Sequence, residues 1–138
     1  MFLLLVDFIL YSVLCGFLSY YVFLSYTICI LSITSYLYSD GRWKEAETLH
    51  VQVTNFQKTA LGEEYPDTLT SINNLAVIFE RQGKYEAAEL LNKETLRLRK
   101  KVHGKEHPDT LISMNNLAGL FDSQGKYEAA EPLYKETL

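Results

Sequence analysis

The chain has 138 residues, room for one domain at most, and a formal net charge of −4 at pH 7. Residues 1–39 hold a single charged side chain, Asp7, whereas residues 40–138 hold 13 basic and 16 acidic ones. The second part is near neutral and has no basic stripe, which argues against nucleic acid as a partner. Cys15 and Cys29 both lie in the apolar head, at neither a disulfide-framework nor a metal-ligand spacing, so no metal or cofactor is expected.

The first 39 residues read as one unit. Residues 8–39 carry no charge and are rich in Phe, Leu, Ile, Tyr and Ser. About 20 apolar residues cross a bilayer as a helix, so one tilted span or two short ones would fit. Tyr36, Tyr38 and Trp43 would then sit at the exit. The absence of Lys or Arg before the segment, with Arg42 and Lys44 after it, would leave the rest of the chain in the cytosol. Two other readings stay open. The segment is a degenerate packing helix, with Ile33 and Leu37 at core positions, or it is non-coding sequence translated in error. The cleaved-leader reading is disfavoured by the missing basic start.

From residue 40 onward the text repeats. Gly62–Ala76 returns as Gly104–Ala118, and Gly83–Glu89 returns as Gly125–Glu131, both at an offset of 42. Residues 62–96 and 104–138 share 25 identities in 35 positions. A fixed period in the range of about 20–50 residues marks a solenoid of stacked units. The chain then divides into a half repeat at 41–61, a full repeat at 62–103 and a truncated one at 104–138. So short an array reads as a fragment of a longer one, with a weakly written helix before Gly41 and a last helix running past Leu138.

Each unit predicts two helices. The first spans 67–82: Pro66 bars helical geometry before it, Asp67 caps it, and Gly83 ends it in the left-handed conformation. Leu69, Ile72, Leu75, Ala76 and Phe79 share one face. The second spans 84–103, with Tyr85, Ala88, Leu91, Thr95, Leu98 and Val102 in its stripe and Gly104 as its stop. Ala46, Ala76, Ala88, Ala118 and Ala130 are small enough to let helices approach closely. Glu86, Glu89 and Lys93 form a solvated charged face. Arg97, Arg99, Lys100 and Lys101 read as a solvated helix end that complements the dipole. His103 and His107 flank Gly104, too few for a metal site. Pro132 removes a helical hydrogen bond and is expected to bend its helix.

Leu75-Ala76-Val77-Ile78-Phe79 and Gly83-Lys84-Tyr85-Glu86-Ala87-Ala88 resemble the tetratricopeptide repeat. The 42-residue unit, with its His-Pro-Asp-Thr, Asn-Asn-Leu-Ala and Gly-Lys-Tyr-Glu-Ala-Ala-Glu phrases, is similar to the kinesin light chain type over about residues 41–138. The resemblance implies an all-α solenoid of antiparallel helix pairs, preceded here by the apolar segment. It also implies a non-enzymatic adaptor or scaffold that binds a protein or an extended peptide. Related multidomain proteins often carry a nucleotide-binding module, but no Gly-rich phosphate loop occurs in this chain. No Ser/His/Asp set or paired acids suggest catalysis.

The wheel places the candidate groove. Thr70, Asn74, Val77 and Arg81 fall together, away from the apolar stripe, and Ile112, Asn116, Gly119 and Ser123 repeat them. Asn74 and Asn116 could hold a peptide backbone through amides that both donate and accept. The alternative is that asparagines bridge neighbouring helices, the role equally open to Asn73 and Asn115. Arg81 is the only cation in the set, which argues against a clamp for a terminal carboxylate.

Overall fold

The computed structural model of the protein describes residues 27–137. Those residues form six helices and no strand. They are α1 (27–39), α2 (Trp43–Leu61), α3 (Pro66–Arg81), α4 (Tyr85–His103), α5 (Pro108–Ser123) and α6 (Tyr127–Glu136). Short turns join them, and from α2 onward each helix packs on the next in an antiparallel run.

The turns are set by chemistry that repeats. Gly41, Gly83 and Gly125 take φ of 74°, 74° and 72°, a left-handed conformation that costs an L side chain about 1–2 kcal/mol. The next amide then closes on a carbonyl five residues back: Arg42 on Leu37 at 2.9 Å, Lys84 on Phe79 at 2.9 Å and Lys126 on Phe121 at 2.8 Å. The matching turn at Gly41 makes α1 the first helix of a pair whose second helix is α2.

Proline sets the starts of α3 and α5. Pro66 and Pro108 occupy the first helical position, where the missing N–H is no loss. The cap residues are therefore Tyr65 and His107, and Asp67, expected as a cap, lies inside the first turn. The His107 imidazole takes the capping role instead, its Nδ1 accepting from the Asp109 amide at 3.2 Å. His103 stacks on His107 with ring centroids 4.4 Å apart.

The core alternates between the pairs. Ala46, Ala76, Ala88, Ala118 and Ala130 are all buried, as close helix approach requires. Leu120 of α5 enters between Ala76 of α3 and Ala88 of α4, with Phe79, Tyr85 and Leu91 around it. One pair earlier, Ile78 of α3 meets Leu37 of α1 and Ala46 of α2. Full burial of a side chain of this size contributes about 1.5–3 kcal/mol.

Three expectations change. Leu37 is buried, but Ile33 is 45 % exposed, because the side of α1 that carries it faces outward. Val102 is exposed, the inward side of the last turn of α4 being held by Leu98 and Arg99. Arg99 is therefore no part of a solvated helix end. Its Nη1 donates to the Asp109 carbonyl and to Ser113 Oγ, both at 2.9 Å, and its Nη2 approaches Thr70 Oγ1 at 3.4 Å. It ties α4 to both neighbours. Its companions do stay at the surface: Arg97 pairs with Glu94 at 2.6 Å, and Lys101 pairs with Glu64. α6 continues through Pro132 to Glu136. No helix among the described residues is long and apolar enough to cross a membrane. Most of the span expected at 8–39 lies outside the described residues.

Candidate peptide-binding groove

The first helices of successive pairs, α1, α3 and α5, lie side by side and form two seams. The expected groove residues sit along them, and the seams differ. Between α3 and α5 the seam is closed by hydrogen bonds. Asn116 Nδ2 donates to Asn73 Oδ1 at 2.8 Å, and Ser123 Oγ donates to Glu80 Oε1 at 2.9 Å. On the second-helix side Lys126 meets Glu89 at 3.2 Å.

Between α1 and α3 the seam opens into a cleft of about 400 Å³. Its walls are Leu31, Thr34, Ser35 and Tyr38 from α1 and Asn74, Val77 and Ile78 from α3, with His50 of α2 at the base. α1 differs from α3 and α5 at most aligned positions, and one of those differences bears on Asn74. The residue that faces Asn74 across the seam, in the place of Asn73, is Leu31. A leucine side chain accepts nothing, so the Asn74 amide is left without the partner that Asn116 has. Beside the cleft Arg81 Nε donates to Tyr38 Oη at 2.9 Å, and on the second-helix side Lys84 meets Glu47 at 2.8 Å.

The expected site residues therefore do different things. Asn74 and Val77 line the cleft. Arg81 bridges to α1 through Tyr38, a neutral phenol that leaves its positive charge in place. Thr70 is exposed, with its hydroxyl donating to the Pro66 carbonyl at 3.0 Å. Ile112 stands exposed on α5, and Gly119 lies near Tyr134, whose Oη would be 3.8 Å from an added Cβ. Asn116 is spent within the fold, in the bridging role weighed for Asn73. Asn115 accepts from Thr137 at 3.0 Å. Leu31, Thr34, Ser35, Tyr38 and His50 were missed: carried back by 42 residues, the groove positions of α3 fall on 28, 32, 35 and 39, of which only Ser35 lines the cleft.

Electrostatics sharpen the cleft. His50 is 3 % exposed and its Nε2–H donates to the Ser71 carbonyl at 3.1 Å. That fixes the tautomer and leaves Nδ1 as a buried acceptor with no partner. Burial pushes the imidazole pKa below its ordinary 6.5, and the Ser71 contact opposes the shift. Arg99 is likewise pulled down by burial, with Asp109 acting against it. On the outer side Lys84 holds the Glu47 carboxyl below its usual range, and Lys93 does the same to Glu89 with help from Lys126. Among the described residues no group of three His, Cys, Asp or Glu is placed to hold a metal.

Helix pairs of this length, joined by left-handed glycines and stacked through small alanines, define an α-solenoid. Sequence profiles of the tetratricopeptide repeat match residues 28–67, 68–109 and 91–138, and the chain belongs to that family. The matched span takes in α1 as well as the helices after Gly41.

The repeats are of the kinesin light chain kind. A solved structure from Podosopora anserina, described as a putative kinesin light chain with nearly identical TPR-like repeats, is 26 % identical with a TM-score of 0.72. The match covers 77 % of this chain and 50 % of that one, and a variant of the same protein gives the same values. BtubC (BKLC) from P. vanneervenii shares the fold at 24 % identity and a TM-score of 0.70, over 76 % of this chain and 41 % of the other. The chain thus spans about half the length of the first of these structures and less of BtubC. A search of curated protein sequences finds no match. The family and the fold make this chain a protein–protein interaction module.

Proposed function

We propose that the cleft between α1 and α3 holds a segment of an extended peptide from a partner protein, and that the chain acts as a non-catalytic adaptor. The observation that carries this reading is Asn74. Its amide stands on an open wall with no partner, while its repeat mate Asn116 is consumed by Asn73. An amide that can both donate and accept matches a peptide unit, which presents one of each. Val77, Ile78 and Leu31 supply apolar walls beside it, the usual make-up of a binding cleft with few polar groups.

The test uses a peptide selected from a displayed random library against the full chain. Its affinity is then measured by calorimetry for three proteins. Asn74→Ala is expected to weaken binding about three- to tenfold, the worth of one hydrogen bond. Asn116→Ala is expected to leave affinity unchanged, because its amide faces Asn73. Equal affinity in the parent and in Asn74→Ala would sink the reading.

A further inference from the structure

The first helices carry the chemistry of the groove in rows. Thr70, Asn74, Val77 and Arg81 of α3 correspond to Ile28, Ser32, Ser35 and Ser39 of α1 and to the α5 set that begins at Ile112. All of these residues are exposed or half-buried. The row through Thr70 has an isoleucine on either side, Ile28 at 55 % and Ile112 at 50 % exposure. The row through Val77 has Ser35 and Gly119, short enough for a ligand backbone to come close. Of these twelve positions Arg81 alone is charged.

The hydroxyls in these rows share a polarity. Ser32 donates to the Ile28 carbonyl at 2.9 Å, Ser39 to the Tyr36 carbonyl at 2.8 Å and Thr70 to the Pro66 carbonyl at 3.0 Å. A carbonyl oxygen only accepts, so each of these protons is committed to its own helix and each hydroxyl oxygen keeps lone pairs for a ligand. Asn116 spends an amide hydrogen on Asn73 and keeps its oxygen as well. Neutral acceptors therefore predominate along the groove, with the Asn74 amide as a neutral donor among them. A carboxylate has no proton to give such oxygens. A backbone amide, a hydroxyl or a carboxamide has one.

The ion pairs lie elsewhere. Lys84 with Glu47 and Lys126 with Glu89 join the second-helix side, and Lys101 with Glu64 lies at the turn before α3. Arg81 is a single cation at one end of the rows, its guanidinium carbon 5.9 Å from the centre of the Tyr38 ring.

We infer that the partner segment held along the first helices is an uncharged polar stretch, rich in serine, threonine, asparagine or glutamine, with aliphatic side chains toward Ile28 and Ile112. This rests on the peptide reading of the cleft and names what that peptide carries. Its donors meet the hydroxyl oxygens of Ser32, Ser39 and Thr70, and its backbone passes close over Ser35 and Gly119. Neutral hydrogen bonds and small apolar contacts hold it, so ionic strength has little to screen.

The probe is the pool of peptides selected from the displayed random library on the full chain. Its shared window should be depleted of Asp, Glu, Lys and Arg. Between about 50 and about 500 mM salt its affinity should change by less than about fivefold, the most that one exposed pair with Arg81 contributes. Ser32→Ala removes one acceptor at an exposed site and should weaken binding about threefold. Ser32→Lys puts a cation with donors only in the same place and should weaken it at least as much. A charged window, a larger salt effect, or binding that is unchanged or tightened by Ser32→Lys would overturn the inference. The two readings fail separately. An acidic pool that weakens in Asn74→Ala keeps the cleft and removes the neutral groove. A neutral pool that ignores Asn74→Ala but weakens in Ser32→Lys keeps the groove and removes the role of the amide.

Discussion

The two seams of this solenoid share one helix, α3, and behave as opposites. In the seam between α3 and α5, Asn116 reaches Asn73, Ser123 reaches Glu80, and Leu120 is sealed between two alanines. In the seam between α1 and α3, Leu31 stands where Asn73 would be, the Asn74 amide finds no acceptor, and a cleft of about 400 Å³ remains. The two seams thus differ in one partner of the asparagine pair. Where both asparagines are present they satisfy each other. Where one is lost, the other becomes available.

That contrast can be broken at several points. The largest effect should come from Leu120→Ala, since Leu120 is 0 % exposed and central to the closed seam. Removing it is expected to cost about 2–5 kcal/mol in urea unfolding, from lost burial plus a cavity. Gly83→Ala forces a side chain into a φ of 74° and should cost about 1–2 kcal/mol by the same measurement. Asn116→Ala should cost about 0.5–1.5 kcal/mol, because Asn73 loses its donor. Asn74→Ala should change stability by no more than about 0.5 kcal/mol, having no partner to strand. Equal stability costs at the two asparagines would erase the distinction between the seams.

Acid should separate the seams as well. His50 belongs to the open seam and its folded pKa lies below 6.5, whereas Asn92 holds the equivalent place in the next repeat and does not titrate. Well above pH 6.5 the imidazole is neutral folded or unfolded, and it contributes no pH dependence. As pH falls through 6.5 the unfolded chain takes the proton first, so stability declines until the folded imidazole is also protonated. Native-state hydrogen exchange at about pH 7.5 and about pH 5.5 should show amides of α2 and α3 opening more readily at the lower pH. His50→Asn should flatten that difference. The smallest effect is expected from Lys84→Ala, whose half-exposed pair with Glu47 should be worth under about 1 kcal/mol.

Much of the helical frame was legible in the residues. The period of 42, the glycine turns and the apolar stripes placed the helices of the repeats to within about a residue, because those signals are local. The wheel also put Thr70, Asn74, Val77 and Arg81 together outside the core. What it could not assign was each residue's partner. Arg99 looked like one cation in a solvated run, yet the start of α5 folds over it and supplies a carbonyl and a hydroxyl. Arg81 was placed in the groove as its cation, and the hydrogen bond of its Nε–H to Tyr38 of α1 was not foreseen. Both partners come from another repeat, 10 to 43 residues away, and no local pattern announces them.

The sequence by itself determined a two-helix unit, its length, its turns and its buried face, since each depends on residues within a few positions of one another. Tertiary structure decided which of two identically placed asparagines is spent and which is open. The physical reason is that an amide's role depends on what stands across the seam. There, stacking set Asn73 opposite Asn116 and Leu31 opposite Asn74.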